Sequence, residues 1–223
     1  MNAHNIKVRK TKTEEKLVSD MLQDKKSLSH VSAIKYGQSH ENVARSLYEK
    51  MFKCKVIQVG LLISSKQPWA CASLDGVVLE DLCIVSIVNI KCPESCKDKP
   101  VINFDTKECN VNFLKFDNDE VKLIDSKVYY TQCQYQMYIS GLSECDLFVF
   151  SPIKNGSYCV RVLRDETFLK DTVLECERFY FENILPALYK VFNKKRNDSP
   201  KRLQLKAKKR LFTGVNVANI MLD

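Results

Sequence analysis

Asp75, Asn89 and Lys91 are the residues of this 223-residue chain whose types and spacing could do chemistry. They lie in the stretch PWACASLDGVVLEDLCIVSIVNIKCP, residues 68–93. Apolar and β-branched runs on either side of Glu80-Asp81 read there as two strands joined by a turn. A carboxylate entering an apolar strand and an ammonium leaving the next are costly inside a sheet unless they are paired or bind a ligand. Asn89 and Lys91 are two apart, so strand alternation puts both on one face, and an antiparallel return sets Asp75 beside them. Asp75, the Asn89 amide oxygen and the Ile90 carbonyl then offer oxygen ligands for Mg²⁺ or Mn²⁺. Such a cation polarises a phosphodiester while Lys91 steers or deprotonates a water. On spacing alone the stronger reading is blander: a polar pair at the rim of a sheet, with Lys91 extending its charge into solvent.

The elements that must position these residues follow from periodicity. From Ile34 to Phe52, Val43, Ala44, Leu47, Tyr48 and Met51 recur at helical spacing and predict one buried face. Glu41 falls near the start of that helix, where a carboxylate favours the first turn. Residues 55–64 read as a strand, so a helix is followed by three strands in succession. Residues 94–126 are long and polar, with a hairpin tip at Asp117-Asn118-Asp119-Glu120. That acidic tip lacks the glycine and distal glutamate of a calcium loop and reads as a solvated turn. Because the loop follows Lys91 directly, it is a candidate wall of a substrate channel.

Residues 127–141 form a helix closed by glycine, on which Gln132 and Gln136 share a face and Gln134 points elsewhere. Residues 145–152 and 158–163 make a closing hairpin. A long helix follows to residue 192, with Phe168, Leu169, Val173, Leu174, Phe179, Tyr180, Ile184 and Leu188 turned inward and a bend at Pro186. Residues 1–30 are polar and lysine-rich, with Leu17 and Met21 as periodic apolar positions. They read as a loosely held helix or as disordered. The expected fold is α/β, a central mixed β-sheet of about five strands flanked by helices.

Three ordered motifs add a family. ASLDGVV…VNIKCP resembles the ASPDG…EIKCP signature of the YqaJ/lambda-exonuclease family, a branch of the PD-(D/E)XK nuclease superfamily. YGQSHENVARSLYE at residues 36–49 and YYTQCQYQM at residues 129–137 are similar to its WGxxxExxAxxxYE and YYxQVQxQM motifs. The resemblance runs over residues 33–190. This chain has Asn89 where the family has Glu and Leu74 where it has Pro, and residues 1–30 are dissimilar to the family's N-terminal segment with its RITAS-like stretch. The resemblance implies a restriction-endonuclease-like core and metal-dependent cleavage of DNA, exonucleolytic on linear double-stranded ends, in recombination or repair. By the same resemblance Asp75 and the Ile90 carbonyl hold Mg²⁺ or Mn²⁺, Asn89 stands in as a neutral ligand, and Lys91 manages the water. Glu41 faces the metal and Gln134 borders the site, holding the water or a phosphate oxygen, while Gln132 and Ser73 touch substrate. A ring-like homo-oligomer and a single-strand annealing protein are the implied partners beside DNA. The alternative reading is a DNA-end or single-strand binding module that has lost catalysis, derived from a mobile or viral element, because an amide attracts a dication less than a carboxylate does.

Composition sets the frame. With 45% apolar and 28% charged residues the chain reads as one globular domain, residues 31–192, between a polar extension (1–30) and a basic tail (193–223). It has no apolar run long enough to span a bilayer, and its first residues lack the apolar centre of a signal peptide, so neither membrane spanning nor secretion is expected. The ten cysteines are scattered without CxxC and only three histidines accompany them, which predicts free thiols in a reducing, intracellular compartment rather than a zinc cluster. The net charge of +8 is concentrated between Lys194 and Arg210, which carry nine basic residues and one acid, Asp198. Lys194, Lys195 and Arg196 open that cluster. It reads as a phosphate-binding arm or a two-cluster nuclear-import signal, ahead of a merely solvated extension, and points to the nucleus.

Overall fold

The computed structural model describes residues 3–7, 13–23 and 30–197. The apolar strands assemble into one five-stranded sheet, in the order β1 (Lys55–Ile57), β4 (Gly76–Glu80), β5 (Cys83–Lys91), β10 (Glu144–Val149) and β11 (Tyr158–Leu163). Neighbours are antiparallel except β5 and β10, whose parallel pairing is made by a crossover carrying helix α4 (Val128–Ser140). Three hairpins complete the strands: β2 (Leu61–Ile63) with β3 (Cys71–Ser73), β6 (Ile102–Asn103) with β7 (Glu108–Cys109), and β8 (Leu114–Asp117) with β9 (Glu120–Leu123). The chain is thus α/β with a mixed central sheet, as the periodicity predicts. The strand expected over 55–64 is two strands, because Gly60 has nothing to pack against and the chain turns away there: β1 joins the central sheet while β2 pairs with β3.

Alternation along the strands decides which helix covers which face. α3 (Ser32–Phe52) lays Ala44 and Tyr48 over Val78, Val88, Ile90, Phe148 and Phe150. α4 lays Cys133 and Met137 over Val77, Ile87, Leu147 and Val149 on the opposite side. The inward stripe of α3 is narrower than its sequence suggests, since Val43 and Met51 are about half exposed. The helix also starts at Ser32, so Glu41 sits mid-helix, beyond the reach of the first-turn dipole. α4 ends on Gly141, which adopts a left-handed φ of 77° and donates its N–H to the Met137 carbonyl at 2.9 Å.

The N-terminal region departs from the loose extension expected. α1 (Ala3–Lys7) and α2 (Glu14–Leu22) bury Ala3, Ile6 and Leu17 against Tyr135 of α4 and against Cys176 and Phe179 of α5 (Glu166–Phe179). The few apolar residues of this polar segment are the ones that dock, so its burial is invisible in its average composition. After α5 the helix widens into a π turn at Tyr180–Ile184 and resumes as α6 (Leu185–Asn197). Pro186 has no N–H to give to the preceding turn, and the wider turn accommodates its ring. Leu174 and Leu188, expected inside, are exposed, and Thr172 and Cys176 are buried instead. All ten cysteines are free thiols. Among the described residues no helix is long and apolar enough to cross a membrane. Lys194 is exposed in the last turns of α6; the side chains of Lys195 and Arg196, and residues 198–223, lie outside the described residues.

Candidate active site

Register brings the three residues together. Gly76 pairs with Val88, so Asp75 arrives opposite Asn89 just where β4 begins. A Cβ at residue 76 would lie 3.2 Å from Val88 Cγ1 and 3.3 Å from the Ile57 carbonyl and would collide with Val56, so only glycine lets β4 lie this close to β1 directly after the acid. Asp75 Oδ2 accepts the Ile90 backbone N–H at 2.8 Å and lies 3.7 Å from Lys91 Nζ. Lys91 donates to Asn89 Oδ1 at 2.5 Å, and its ammonium sits 5.0 Å from the centroid of the Tyr129 ring. The Asp75 and Lys91 side chains are 26% and 17% exposed, so the pair faces solvent from the end of β5.

Asn89 is fully buried, and α4 holds it from behind. Its Nδ2 donates to Gln136 Oε1 at 2.9 Å and points at Cys133 Sγ, 3.8 Å away. Gln136 Nε2 in turn donates to the Ser73 carbonyl at 2.7 Å. The chain Lys91, Asn89, Gln136, Ser73 leaves neither side of the Asn89 amide unengaged.

The other expected residues are placed less uniformly. Gln134 is turned away from the centre: its Nε2 donates to the Leu163 carbonyl at 2.7 Å and its Oε1 accepts the Asp165 N–H at 2.8 Å, tying α4 to β11 and to the cap of α5. Gln136 occupies the position beside the site that was expected of Gln134. Successive residues rotate by 100° on a helix, so positions 134 and 136 face different neighbours. The shared face of Gln132 and Gln136 was the available signal. Glu41 is ion-paired to Arg45 at 2.6 Å, and Arg45 also donates to Asn42. Glu41 lies close enough to the centre that the Cys92 thiol feels it together with Lys91 and Asp75; burial first, then the charge of Glu41, push that thiol up to about 12. Burial and the neighbouring carboxylates thus favour the neutral thiol at Cys92. Ser73 and Gln132 line a cavity of about 740 Å³ between α1, α2, β3 and α4, next to the Asn89–Gln136 pair.

The oxygens gathered here fit a hard divalent cation in type, since a carboxylate, a backbone carbonyl and an amide oxygen are the donors such ions take. They supply little charge. Asp75 is the one carboxylate of the trio, Glu41 is committed to Arg45, and among the described residues no cluster of three His, Cys, Asp or Glu side chains could hold a metal.

Comparison with known proteins finds the same fold elsewhere. The fold is similar to an alkaline exonuclease, LHK-Exo, from Laribacter hongkongensis, with a TM-score of 0.59 and 21% identity over 89% of this chain and 93% of that one. It is similar to LHK-Exo in complex with dAMP, with a TM-score of 0.60 and 20% identity over 88% and 91% of the two chains. A phage-related exonuclease from Haemophilus somnus gives a TM-score of 0.54 and 11% identity over 84% and 96%. No curated protein matches the chain. A family model, the YqaJ-like viral recombinase domain, matches residues 2–143, a span that takes in α1 and α2 as well as Asp75, Asn89, Lys91 and Gln136. The chain belongs to the YqaJ-like viral recombinase domain family.

Proposed function

We propose that the chain is a metal-dependent DNA nuclease that works at its Asp75–Asn89–Lys91 centre on the ends of linear double-stranded DNA. The observation that carries this reading is the convergence of Asp75 and Lys91, 3.7 Å apart, with the Asn89 amide oxygen at the end of β5. Asp75, the Ile90 carbonyl and Asn89 Oδ1 would hold Mg²⁺ or Mn²⁺, which supplies Lewis acidity toward a phosphoryl oxygen. Lys91 holds its ammonium where charge builds on the phosphoryl group as water attacks and the bond to the leaving oxygen breaks. Tyr129 and Asn89 keep that ammonium in place. The exonuclease neighbours and the family support DNA as the substrate; recombination or repair is the setting proposed, and the basic cluster from Lys194 to Arg210 is what suggests the nucleus. A ring-like homo-oligomer and a single-strand annealing protein that takes up the product strand belong to the same proposal.

A second reading has its own observation. The Asn89 amide is bonded on both sides, and Lys91 occupies the oxygen a cation would take, which suits a centre that grips a strand end without cutting it. Calorimetry and a digestion assay separate the two. Wild type binds Mg²⁺ weakly, Asp75→Ala abolishes the binding, and linear duplex is degraded while closed circular duplex survives. Equal Mg²⁺ binding by Asp75→Ala removes the assignment of the site, and DNA binding without digestion selects the second reading.

The basic tail gives an independent expectation. Deleting residues 194–223 lowers duplex affinity and flattens its dependence on salt, by about 0.9 in logarithmic slope for each phosphate that the tail had neutralised. An unchanged slope assigns the tail to nuclear import and not to DNA.

A further inference from the structure

The charged side chains at the centre come as two matched pairs. Asp75 lies 3.7 Å from Lys91 and Glu41 lies 2.6 Å from Arg45, so the formal charges of these four cancel and leave a dication no net attraction. The second pair is delivered by α3. A Cβ at Gly37 would lie 3.7 Å from the Cys92 carbonyl, and Glu41 follows Gly37 by one helical turn, which brings its carboxylate to the end of β5. After burial, the charge that weighs most on the Cys92 thiol is that of Glu41, ahead of those of Lys91 and Asp75. Glu41 is thus a second carboxylate beside the Asp75–Lys91 pair, and Arg45 is what engages it.

The two members of the Glu41–Arg45 pair are unequally free. The Arg45 side chain is 11% exposed and its Nη1 also donates to Asn42 Oδ1 at 2.8 Å, so the guanidinium is held where it is. The Glu41 side chain is 39% exposed and can change rotamer without displacing a packed neighbour. Among the described residues the buried Arg45 Nε has no hydrogen-bond partner, so when Glu41 leaves, the guanidinium keeps the neutral Asn42 oxygen alone. An enclosed cation stripped of its carboxylate is unfavourable. A dication that recruits Glu41 must overcome that loss, and its apparent affinity is the intrinsic one reduced by the fraction of molecules in which Glu41 is free.

We propose that Arg45 sets the affinity of the centre for a divalent cation by withholding Glu41, a carboxylate with two alternative partners, Arg45 and the cation. The inference rests on the reading of Asp75 and the Ile90 carbonyl as a cation site. It makes Arg45 a positioning residue, which acts through Glu41 and touches neither cation nor substrate. The weak Mg²⁺ binding expected of this chain then has two sources, the neutral amide at position 89 and the engaged carboxylate at position 41.

The test is calorimetric titration of Mg²⁺, without DNA, into the full chain as wild type, Arg45→Met, Glu41→Gln and the double variant. Methionine keeps a packed aliphatic stem and removes the charge. Arg45→Met is expected to bind Mg²⁺ roughly 3- to 30-fold more tightly than wild type, the scale of a half-enclosed ion pair that no longer competes. Glu41→Gln binds more weakly than wild type. In the Glu41→Gln background Arg45→Met brings no gain, because there is no carboxylate left to release. Arg45→Gln, which keeps a donor for Asn42, carries the same expectation where the methionine variant does not fold. Arg45 variants that bind Mg²⁺ no more tightly than wild type overturn the inference and leave the proposed function standing. An equal gain with and without Glu41 also overturns it, since Arg45 then acts as a charge at a distance. If neither wild type nor any Arg45 variant binds Mg²⁺, the cation site falls as well.

Discussion

Asn89→Glu is expected to bind Mg²⁺ on the order of 10- to 100-fold more tightly than wild type and to digest linear duplex faster. The residue sits in a slot whose neighbours already include Asp75 at the facing register position and Lys91 at 2.5 Å, so a second carboxylate doubles the negative charge available to a dication. The gain has a structural cost that can be read from the hydrogen bonds. A carboxylate only accepts, so Gln136 must turn its NH₂ toward position 89 and abandon the Ser73 carbonyl, which costs about 0.5–1.5 kcal/mol, the net worth of one hydrogen bond at a residue open to solvent. Without metal the variant is therefore less stable than wild type, and added Mg²⁺ restores its melting temperature more than it raises that of wild type. Asn89→Asp, which keeps the volume of the side chain, separates charge from overpacking in this fully buried position. Lys91→Ala silences digestion by wild type and by Asn89→Glu, with a loss of about 10²–10⁴-fold, the scale of a positioned proton-transfer or charge-stabilising group. Wild type as active as Asn89→Glu identifies a working amide-ligand nuclease. If both are inert yet bind DNA, the centre is a grip and not a blade.

The parts of the site that sequence reveals are those set by strand geometry. Asp75, Asn89 and Lys91 converge because period-two alternation fixes one face and a tight turn at Asp81-Leu82 fixes the return register. Helical glutamines are less determinate. Spacing shows that Gln132 and Gln136 share a face and Gln134 does not, but only the docking of α4 on β5 and β10 says which face meets Asn89. The N-terminal helices are harder still. Ile6 and Leu17 are isolated apolar residues in a polar stretch, and their burial depends on a groove made by α4 and α5 that lies more than a hundred residues away in sequence. The cavity that Gln132 and His4 share is assembled from those same distant pieces, so no local pattern announces it. In the long helix, Leu174 lies off the face that Leu169, Thr172, Cys176 and Phe179 bury, and Leu188 follows the π turn ahead of Pro186, which shifts the helical phase.

Arg161→Met is expected to destabilise the fold, and it acts from beneath the site. Asp146 lies on β10 opposite Val88 of β5, one residue from Asn89, and is buried on the α3 face of the sheet. Arg161 clasps it with Nε to Oδ1 at 2.8 Å and Nη2 to Oδ2 at 2.9 Å, while the Tyr48 hydroxyl donates to the same carboxylate at 2.5 Å. Removing the guanidinium leaves a buried carboxylate with one neutral donor. Breaking such a pair costs about 3–5 kcal/mol when it is fully enclosed, and Arg161 is half exposed, so about 2–3 kcal/mol applies here. For a chain of this length that is a fall of roughly 5–10 °C in Tm. Asp146→Asn added to Arg161→Met removes the stranded charge while keeping a partner for Tyr48, and recovers part of the loss. Mg²⁺ affinity measured at 25 °C stays at the wild-type value in all three proteins, because the network supports β5 without touching Asp75, Asn89 or Lys91. A double variant less stable than Arg161→Met shows that Asp146 serves the fold through Tyr48 alone, and a loss of Mg²⁺ binding in Arg161→Met shows that the two faces of the sheet are coupled.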